Sequence, residues 1–340
     1  MNVGLSPKDF ASDQEVRWCP GCGDYAILKG VRAALAKIGR APQDVVFVSG
    51  IGCAARFPYY VASYGFHTIH GRAPAVATGV KLANPDLDVW VVGGDGDFLS
   101  IGGNHLLHTL RRDVDLNLLL INNAIYGLTK GQYSPTSHVG TVSPSSPRGS
   151  LEAPVNAGLF ALGAGASFFA RTVDFLQDHL PDIMVRAQAH RGASLVEVLQ
   201  NCIIYNDGVF SKVTSKADAA QNAVRLVHGE PILIGSETGR GLVFDEASCR
   251  FRVAEIGRDC PPEGIARHDE TNLPRAMALA ALQDEDGPEI LGVIYCRPEG
   301  TARPGLSAIE ATPLMDEAEL ATHMAGPRAA RGGGKPALIP

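Results

Sequence analysis

The sequence predicts an α/β fold in which a parallel, twisted sheet carries helices on both faces. Short apolar runs alternate with stretches of helical periodicity, and a glycine-rich or polar loop follows several of these runs. The chain has 340 residues, which suffices for one large domain with additions. Apolar residues make up 45% and charged residues 19%, the balance of a globular protein with a sizeable core.

The predicted elements alternate along the first two thirds of the chain. Residues 25–38 repeat apolar side chains every three or four positions, which indicates a helix that ends at Gly39. Apolar runs typical of buried strands stand at 45–48, 89–92, 116–121 and 194–199. Further helices are predicted at 73–82, at 105–112, and from 174 to 179 and beyond.

Composition divides the chain into four segments. Residues 1–17 are predicted to be a loose N-terminal arm, 18–205 the main domain, and 206–302 a small β-rich C-terminal extension with short strands at 228–234, 241–244 and 290–295. The apolar pattern fades from 303, and we predict a disordered tail over 303–340. Residues 130–157 form a long loop rich in Gly, Ser, Thr and Pro, and such loops are usually functional or mobile.

Charge and cysteine content narrow the classes of function. The formal net charge is −6, without a cluster of basic residues, so we expect no nucleic-acid partner. No apolar run approaches the roughly 18 residues of a membrane span, and the first ten residues lack the apolar core of a signal peptide. We therefore expect a cytoplasmic protein that does not bind a membrane. The cysteines number seven, and an odd count without an export signal argues against a disulfide framework.

A glycine-flanked carboxylate and a pair of asparagines follow two successive predicted strands. Asp95 lies between Gly94 and Gly96, and Asn122 and Asn123 follow the next strand. Adjacent parallel strands would bring these side chains together, and their oxygens suit Mg²⁺ bound with a diphosphate. Two ordinary glycine turns are the alternative. Because the Asn pair stands at the next strand end, we favour the diphosphate site.

Cys19 and Cys22 form the only C-x-x-C motif. A zinc ribbon needs a second such pair, and a redox dithiol of the thioredoxin kind normally follows a strand, whereas this motif precedes the first one. Four separated cysteines can also hold an iron–sulfur cluster. Each cysteine taken alone is more simply a small buried apolar side chain.

Longer strings resemble the β subunit of 2-oxoacid:ferredoxin oxidoreductases. Residues 94–97 (GDGD) followed by Asn122 and Asn123 resemble the thiamine-diphosphate signature of that superfamily, and residues 122–132 (NNAIYGLTKGQ) resemble this β subunit in particular. The cysteine contexts at 18–24 (WCPGCGD), 50–53 (GIGC) and 200–202 (QNC) are similar too. The resemblance covers about residues 15–300 and implies a thiamine-diphosphate-binding fold.

The resemblance also implies a set of ligands for three cofactors. Mg²⁺ would be held by Asp95, by the side chain of Asn123 and by the backbone carbonyl of Ile125. A [4Fe–4S] cluster would be held by Cys19, Cys22, Cys53 and Cys202. Thiamine diphosphate would contact Ile51, Gly52, Cys53, Ala54, His70, Gly94, Gly96, Asp97, Gly127 and Leu128. Cys249, Cys260 and Cys296 match nothing in the family pattern, and we expect them to be structural.

Four side chains are candidates for contact with the substrate or the reacting centre. His70 stands in a segment (HGR) that approaches the cofactor in the family, although a single loop histidine is usually structural. Arg56 and Lys130 are cations suited to an anionic 2-oxoacid, although most such residues are solvated surface charges. Leu128 would shape the same pocket. We expect His105 and His108, on a predicted helix, to be structural.

The implied reaction is the coenzyme A-dependent oxidative decarboxylation of a 2-oxoacid, with electrons passing through the cluster to ferredoxin, and the reverse direction is equally open. The sequence lacks a motif for the glutamate that thiamine enzymes place against the aminopyrimidine ring. The resemblance implies that an α subunit supplies it, in αβ pairs that dimerise into a heterotetramer. Residues 229–235 and 268–272 resemble the β-subunit extension of the 2-oxoglutarate-type branch, which favours 2-oxoglutarate, while pyruvate or broad 2-oxoacid specificity stays open.

Two other classes of function remain. A non-redox thiamine-dependent decarboxylase or synthase would explain Asp95 and Asn123 but not the four cysteines. A non-enzymatic metal-binding scaffold would explain the cysteines but not the diphosphate loop.

Overall fold

The architecture is given by a computed structural model, which describes residues 4–213, 215–235, 238–282 and 287–298. The predicted tail at 303–340 lies outside the described residues. The described helices are α1 Asp24–Ile38, α2 Phe57–Tyr60, α3 Ala73–Ala83, α4 Gly103–Arg112, α5 Ala157–Gly163, α6 Leu180–Ala189, α7 Lys216–Asn222 and α8 Leu273–Ala280. A short π-helix, Gly96–Ile101, precedes α4.

Eleven strands are described, and eight of them form one sheet. The strands are β1 Val45–Ser49, β2 Tyr64–His67, β3 Asp88–Gly94, β4 Leu116–Asn122, β5 Phe168–Val173, β6 Ala193–Leu199, β7 Ala223–Arg225, β8 Leu233–Ile234, β9 Arg240–Asp245, β10 Arg250–Glu255 and β11 Glu289–Cys296. The large sheet has the order β2-β1-β3-β4-β6-β5-β11-β7, and β10-β9-β8 form a small antiparallel sheet. Neighbours from β2 to β5 all pair in parallel.

Helices cover both faces of the large sheet, as predicted. On one face α3, α4, α5 and α8 contribute buried residues to a single core that includes Leu106 and Leu279. On the other face α1 and α6 contribute buried residues such as Ile27 and Met184. The central strands β1, β4, β5 and β6 are buried along their whole length, which explains why their sequences are apolar without alternation.

The C-terminal region differs from the prediction in one respect. The strand predicted at 290–295 belongs to the large sheet, where β11 runs antiparallel to β5 and pairs with β7. Only β8, β9 and β10 form the separate antiparallel sheet. Buried, apolar β11 completes the core of the main domain. The small sheet is therefore formed by the segment between β7 and β11, two strands that both belong to the large sheet.

Two local expectations also need correction. Residues 174–179 are turns rather than the start of a helix, and α6 begins at Leu180, followed by Pro181 in the first turn, where proline is favoured. The N-terminal segment is not loose, because Phe10 is fully buried against α1 and the residues around α2. Among the described residues, no helix combines the length and the apolar character needed to cross a bilayer.

Candidate functional site

The carboxyl ends of four neighbouring strands carry the predicted site residues. In the sheet order β1-β3-β4-β6, these ends lead to Cys53, Asp95, Asn123 and Cys202. The pairing of β3 with β4 is parallel, which confirms the expected meeting of the aspartate loop and the asparagine pair. Ligands bind at this edge of α/β sheets. The topology therefore gathers positions that are far apart in the sequence.

A cavity of about 170 Å³ opens at this edge. It is lined by every residue predicted to contact thiamine diphosphate or Mg²⁺: Ile51, Gly52, Cys53, Ala54, His70, Gly94, Asp95, Gly96, Asp97, Asn123, Ile125, Gly127 and Leu128. The same wall includes four residues that the sequence did not single out: Asp24, Ile121, Tyr126 and Thr129.

Asp95 is a buried carboxylate at the cavity wall. It is 2% exposed, and its Oδ2 lies 2.6 Å from the hydroxyl of Thr136, which also lies 2.8 Å from Asn122 Oδ1. Burial raises the pKa of Asp95, partly offset by hydrogen bonds from Ser134 and Thr136. A carboxylate held in this way gains from a nearby cation, so the site fits a divalent metal ion.

The asparagine pair stands at the end of β4, where Asn122 is the last strand residue and Asn123 begins a tight turn. Asn123 Oδ1 accepts from the backbone N–H of Ile125 (3.2 Å), and Asn122 Oδ1 accepts from that of Ala124 (3.1 Å). Ala124 has φ +52°, a left-handed conformation that reverses the chain. This turn brings both the Asn123 amide and the Ile125 backbone to the cavity that Asp95 lines. The oxygen-rich set suits Mg²⁺.

The carboxylate of Asp97 binds the protein's own loops. Its Oδ1 accepts from the backbone N–H of Ile51 (3.1 Å), from that of Gly71 (2.8 Å) and from Nδ1 of His70 (2.6 Å). Its Oδ2 is buried and has no partner among the described residues. Asp97 thus positions two loops of the cavity. The hydrogen bond at Nδ1 leaves Nε2 as the nitrogen of His70 that is available to a ligand.

Two glycines of the cavity could not be replaced without strain, Gly96 because the Tyr126 ring packs against it and Gly52 because of its backbone conformation. A Cβ at Gly96 would lie 2.0 Å from the ring of Tyr126, so only glycine allows this close approach. Gly52 has φ +134°, a conformation that L-residues rarely adopt. The backbone around both positions can therefore come close to a bound diphosphate.

The four cysteines predicted as cluster ligands line a second cavity, of about 210 Å³. Cys202 and Cys53 are close to each other, because their sulfurs lie 3.5 and 3.8 Å from the position that a Gly127 Cβ would take. Cys53, Asp24, Asn123, Gly127 and Leu128 line this cavity and the first one. The two cavities are therefore neighbours with a common wall.

Local structure explains how Cys19 and Cys22 reach this cavity. Cys22 N–H donates to the Cys19 carbonyl (3.0 Å) in a turn that contains Gly21 with φ +82°. Trp18 packs against Tyr60 and Tyr25, and its indole N–H donates to the Cys53 carbonyl (2.8 Å). The C-x-x-C turn is thus tied to the loop after β1.

Cys22 and Cys53 lie in surroundings that disfavour a free thiolate. Burial and the charge of Asp24 raise the pKa of Cys22 and raise the pKa of Cys53 to about 11. Burial also raises the pKa of Asp24 to about 7. Among the described residues, no group of three His, Cys, Asp or Glu is arranged around a single metal ion. A cluster does not need such convergence, since each cysteine binds a different iron, and iron can replace the proton on each buried thiol. The cavity therefore fits a cluster.

The substrate candidates lie beside both cavities. Arg56, Lys130 and Leu128 line the cysteine cavity, and Arg56 Nη1 donates to the Arg17 carbonyl (3.0 Å). A third cavity, of about 560 Å³, is lined by Arg17, Arg56 and Leu128 and also reaches Ile51 and Gly52. Glu15 lines the third cavity as well and lies 3.2 Å from Arg17 Nη2, so Arg56 is the arginine better placed for an anionic ligand.

Several predicted structural residues stay away from the cavities. His105 and His108 lie on α4, and neither lines the three cavities described above. The same holds for Cys249, Cys260 and Cys296. Their structural role remains a prediction.

Two more polar residues, Thr136 and Gln200, support the site and were also missed from the sequence. Thr136 lies in the Gly/Ser/Thr/Pro-rich loop, whose buried Ser137 Oγ donates to the Ala124 carbonyl (2.6 Å). Gln200 is 1% exposed and bonds both Asn123 and Cys22. A threonine in a polar loop carries no recognisable pattern. Gln200 belongs to the string that contains Cys202 (QNC), but nothing in the sequence distinguishes it from any other polar residue beside a cysteine.

Comparison with known proteins agrees with this geometry. Residues 50–198 match the family model for the C-terminal, TPP-binding domain of thiamine pyrophosphate enzymes. The 2-oxoglutarate oxidoreductase subunit KorB of Mycobacterium tuberculosis is 58% identical over 280 residues, which cover 82% of this chain and 74% of that protein. The chain belongs to the 2-oxoacid:ferredoxin oxidoreductase β-subunit family. Subunit beta of 2-oxoacid:ferredoxin oxidoreductase 2 from Aeropyrum pernix is 45% identical over 206 residues, 60% of this chain and 66% of that one.

A solved structure extends the family likeness to the whole architecture. It is a 2-oxoglutarate:ferredoxin oxidoreductase from Magnetococcus marinus with 2-oxoglutarate, coenzyme A and succinyl-CoA bound. It matches with a TM-score of 0.73 at 32% identity, over 96% of this chain and 97% of that chain. The predicted thiamine-diphosphate-binding fold with a small C-terminal β extension is thereby confirmed.

Proposed function

We propose that this chain is the β subunit of a 2-oxoglutarate:ferredoxin oxidoreductase and carries thiamine diphosphate, Mg²⁺ and a [4Fe–4S] cluster. The observation that carries the proposal is the common wall of the two cavities, which includes Cys53 and Gly127. Bound thiamine diphosphate supplies the electron sink for decarboxylation. A cluster on the other side of the same wall would be close enough to take the electrons.

Each cofactor has candidate ligands in this chain. Asp95, the Asn123 side chain and the Ile125 carbonyl are proposed to hold Mg²⁺. The glycine-flanked loop at 94–96 is proposed to receive the diphosphate. The proposed cluster ligands are Cys19, Cys22, Cys53 and Cys202. These groups lie in five loops, in which Asp95 and Ile125 are buried and Cys19 is exposed.

The choice of 2-oxoglutarate is supported by charge and by relatives. A dicarboxylate gains more than a monocarboxylate from two cations at the cavities, Arg56 and Lys130. The relative from M. tuberculosis is named as a 2-oxoglutarate oxidoreductase subunit, and the M. marinus structure contains 2-oxoglutarate. Pyruvate or broad 2-oxoacid specificity is the second candidate.

The active site is proposed to be completed by an α subunit. The first cavity is lined by three aspartates, Asp24, Asp95 and Asp97, and by no glutamate among its described residues. All three aspartates are buried in the body of this chain. The glutamate that activates the aminopyrimidine ring is therefore expected from the partner. We further propose dimerised αβ pairs and ferredoxin as the electron acceptor. A cytoplasmic location stays a prediction from the sequence.

Substrate-dependent reduction of a low-potential acceptor tests this function. The chain is purified without oxygen, alone and together with its α subunit, and each sample is supplied with coenzyme A and one 2-oxoacid. We expect turnover only in the αβ complex, with a higher kcat/KM for 2-oxoglutarate than for pyruvate. Turnover by the chain alone would contradict the shared active site. A preference for pyruvate would keep the family and refute the substrate. Release of CO₂ without acceptor reduction would favour a non-redox thiamine enzyme.

A further inference from the structure

Gln200 is a buried polar residue that joins the two cavities. It follows β6 directly and is 1% exposed. Its Oε1 accepts from Asn123 Nδ2 (2.8 Å), and its Nε2 donates to Cys22 Sγ (3.4 Å) and to the Asn201 carbonyl (2.6 Å). One carboxamide therefore contacts a proposed magnesium ligand on one side and a proposed cluster ligand on the other.

The orientation of this carboxamide is fixed by its partners. The Asn201 carbonyl can only accept, so the Gln200 atom 2.6 Å from it is the NH₂ group. A flipped amide would place two acceptor oxygens against each other. The same carbonyl also accepts from Gly23 N–H (3.3 Å), which anchors it beside the C-x-x-C turn. Gln200 Oε1 must therefore face Asn123.

This orientation determines which atom Asn123 presents to the cavity. Because Gln200 takes a hydrogen bond from its NH₂ group, Asn123 directs Oδ1 the other way. That oxygen accepts from Ile125 N–H, and its second lone pair remains for a cation. Without Gln200, the Asn123 amide loses one of the two hydrogen bonds that orient it, and its Oδ1 is held less firmly toward a cation.

The other end of Gln200 acts on a sulfur. An N–H donor stabilises negative charge on a cysteine sulfur, and hydrogen bonds to the sulfurs are among the factors that set cluster potentials. The reduced cluster is the more negative state. A donor at Cys22 therefore favours reduction and raises the midpoint potential.

We propose that Gln200 is a positioning residue that sets both the magnesium-binding orientation of Asn123 and the potential of the cluster at Cys22. The inference rests on the proposed function, since it requires a cluster and Mg²⁺ at these sites. It predicts that the affinity for Mg²⁺ and the midpoint potential of the cluster both change when Gln200 is replaced.

Two substitutions in the anaerobic αβ complex separate the two roles. Gln200→Met keeps the size of the side chain and removes both roles. Gln200→Glu keeps an acceptor toward Asn123 and removes the N–H donor to Cys22, but it also places an oxygen against the Asn201 carbonyl and can add a charge, so its potential is interpreted only beside that of the uncharged Gln200→Met. Gln221→Met, on the exposed surface of α7, is the matched control. Iron content and circular dichroism establish that each complex is folded and loaded.

The readouts are the Mg²⁺ dissociation constant in the presence of thiamine diphosphate and the midpoint potential of the cluster from an EPR-monitored titration. For Gln200→Met we expect Mg²⁺ affinity to fall about 10- to 100-fold, as for other residues that orient metal ligands, and the potential to fall. For Gln200→Glu we expect a lower potential with Mg²⁺ affinity close to wild type. The control should match wild type in both.

Each of the other possible results would contradict one half of the proposal for Gln200. Unchanged potentials in both iron-loaded variants would overturn the role at Cys22. Unchanged Mg²⁺ affinity in Gln200→Met would overturn the role at Asn123. If Gln200→Met does not fold, Gln200→Leu, which also lacks both polar groups and adds no charge, takes its place, and unchanged potential or unchanged Mg²⁺ affinity in that variant would overturn the corresponding role. A wild-type complex without iron would instead refute the proposed function itself.

Discussion

Removing the carboxylate of Asp97 should destabilise the wall of the first cavity, because two loops lose their hydrogen bonds to it. Asp97 Oδ1 accepts hydrogen bonds from the backbone of Ile51, from the backbone of Gly71 and from His70, at 2.6 to 3.1 Å. The carboxylate is buried, with a side-chain exposure of 1%. Asp97→Ala would therefore leave backbone donors of both loops without an acceptor.

The expected cost follows from the donors that lose their partner. A buried donor left unsatisfied costs about 1–3 kcal/mol, so the two backbone N–H groups together cost roughly 2–6 kcal/mol. Asp97→Asn keeps an amide oxygen as acceptor and should cost less. The loop at Ile51 lines the proposed cofactor site, and so the alanine variant should also lose affinity for thiamine diphosphate.

Thermal unfolding of the αβ complex and equilibrium binding of thiamine diphosphate measure these effects. We expect the unfolding midpoint to fall in the order wild type, Asp97→Asn, Asp97→Ala. Asp182→Ala is the control, because Asp182 also forms a short ion pair, with Lys37 at 2.6 Å, but on the exposed surface, where such pairs contribute about 0–1 kcal/mol. An alanine variant at 97 as stable as the alanine variant at 182 would refute this account of Asp97.

Three further predictions concern other parts of the chain. Asp95→Asn should abolish Mg²⁺-dependent retention of thiamine diphosphate through gel filtration, and normal retention would exclude Asp95 as a ligand. Arg56→Gln should raise KM about tenfold or more for 2-oxoglutarate, as expected for the loss of a charged hydrogen bond, and less for pyruvate; equal changes would refute dicarboxylate recognition. Burial lowers the pKa of His179 to about 4, so the unfolded chain binds more protons between pH 4 and 6.5. The free energy of unfolding should therefore fall as pH falls through this window, and it should fall less steeply in His179→Gln. The same pH dependence of the urea-unfolding midpoint in both proteins would contradict this reasoning.

The aspartate and asparagine positions of the first cavity could be predicted from the sequence because they stand at strand ends, whereas its other predicted contacts were implied by the family resemblance. Gly94 ends β3 and is followed at once by Asp95 and Gly96, and Asn122 ends β4 and is followed by Asn123. Parallel strands bring such ends together whatever the details of packing. The four cysteines required more, since no local pattern joins Cys53 to Cys202, and only the family resemblance indicated that they act as a set.

The residues that were missed depend on contacts between distant segments. Thr136 bonds Asp95 across 41 positions, and Gln200 bonds Cys22 across 178. A polar side chain in a loop gives no indication of such partners before the loops are folded. Thr136 and Gln200 were therefore found only from the structure.

Two errors in the fold have a similar cause. The run at 290–295 is apolar enough for a strand, but pairing with β5 rather than with its sequence neighbours is a tertiary choice. The N-terminal arm has a mostly polar composition, yet the single residue Phe10 anchors it in the core. Composition averages over a segment and does not detect one anchoring side chain.

The central claim is that this chain holds an iron–sulfur cluster beside its thiamine site, and anaerobic metal analysis tests it most directly. The αβ complex is compared with its Cys202→Ala and Cys249→Ala variants by iron, sulfide and visible absorption, before and after 2-oxoglutarate and coenzyme A are added. We predict a brown wild-type complex that bleaches with substrate, the same behaviour in the Cys249 variant, and loss of about four iron and four sulfide per β chain in the Cys202 variant. Equal iron and sulfide in all three complexes, or a colourless wild-type complex, would contradict the account.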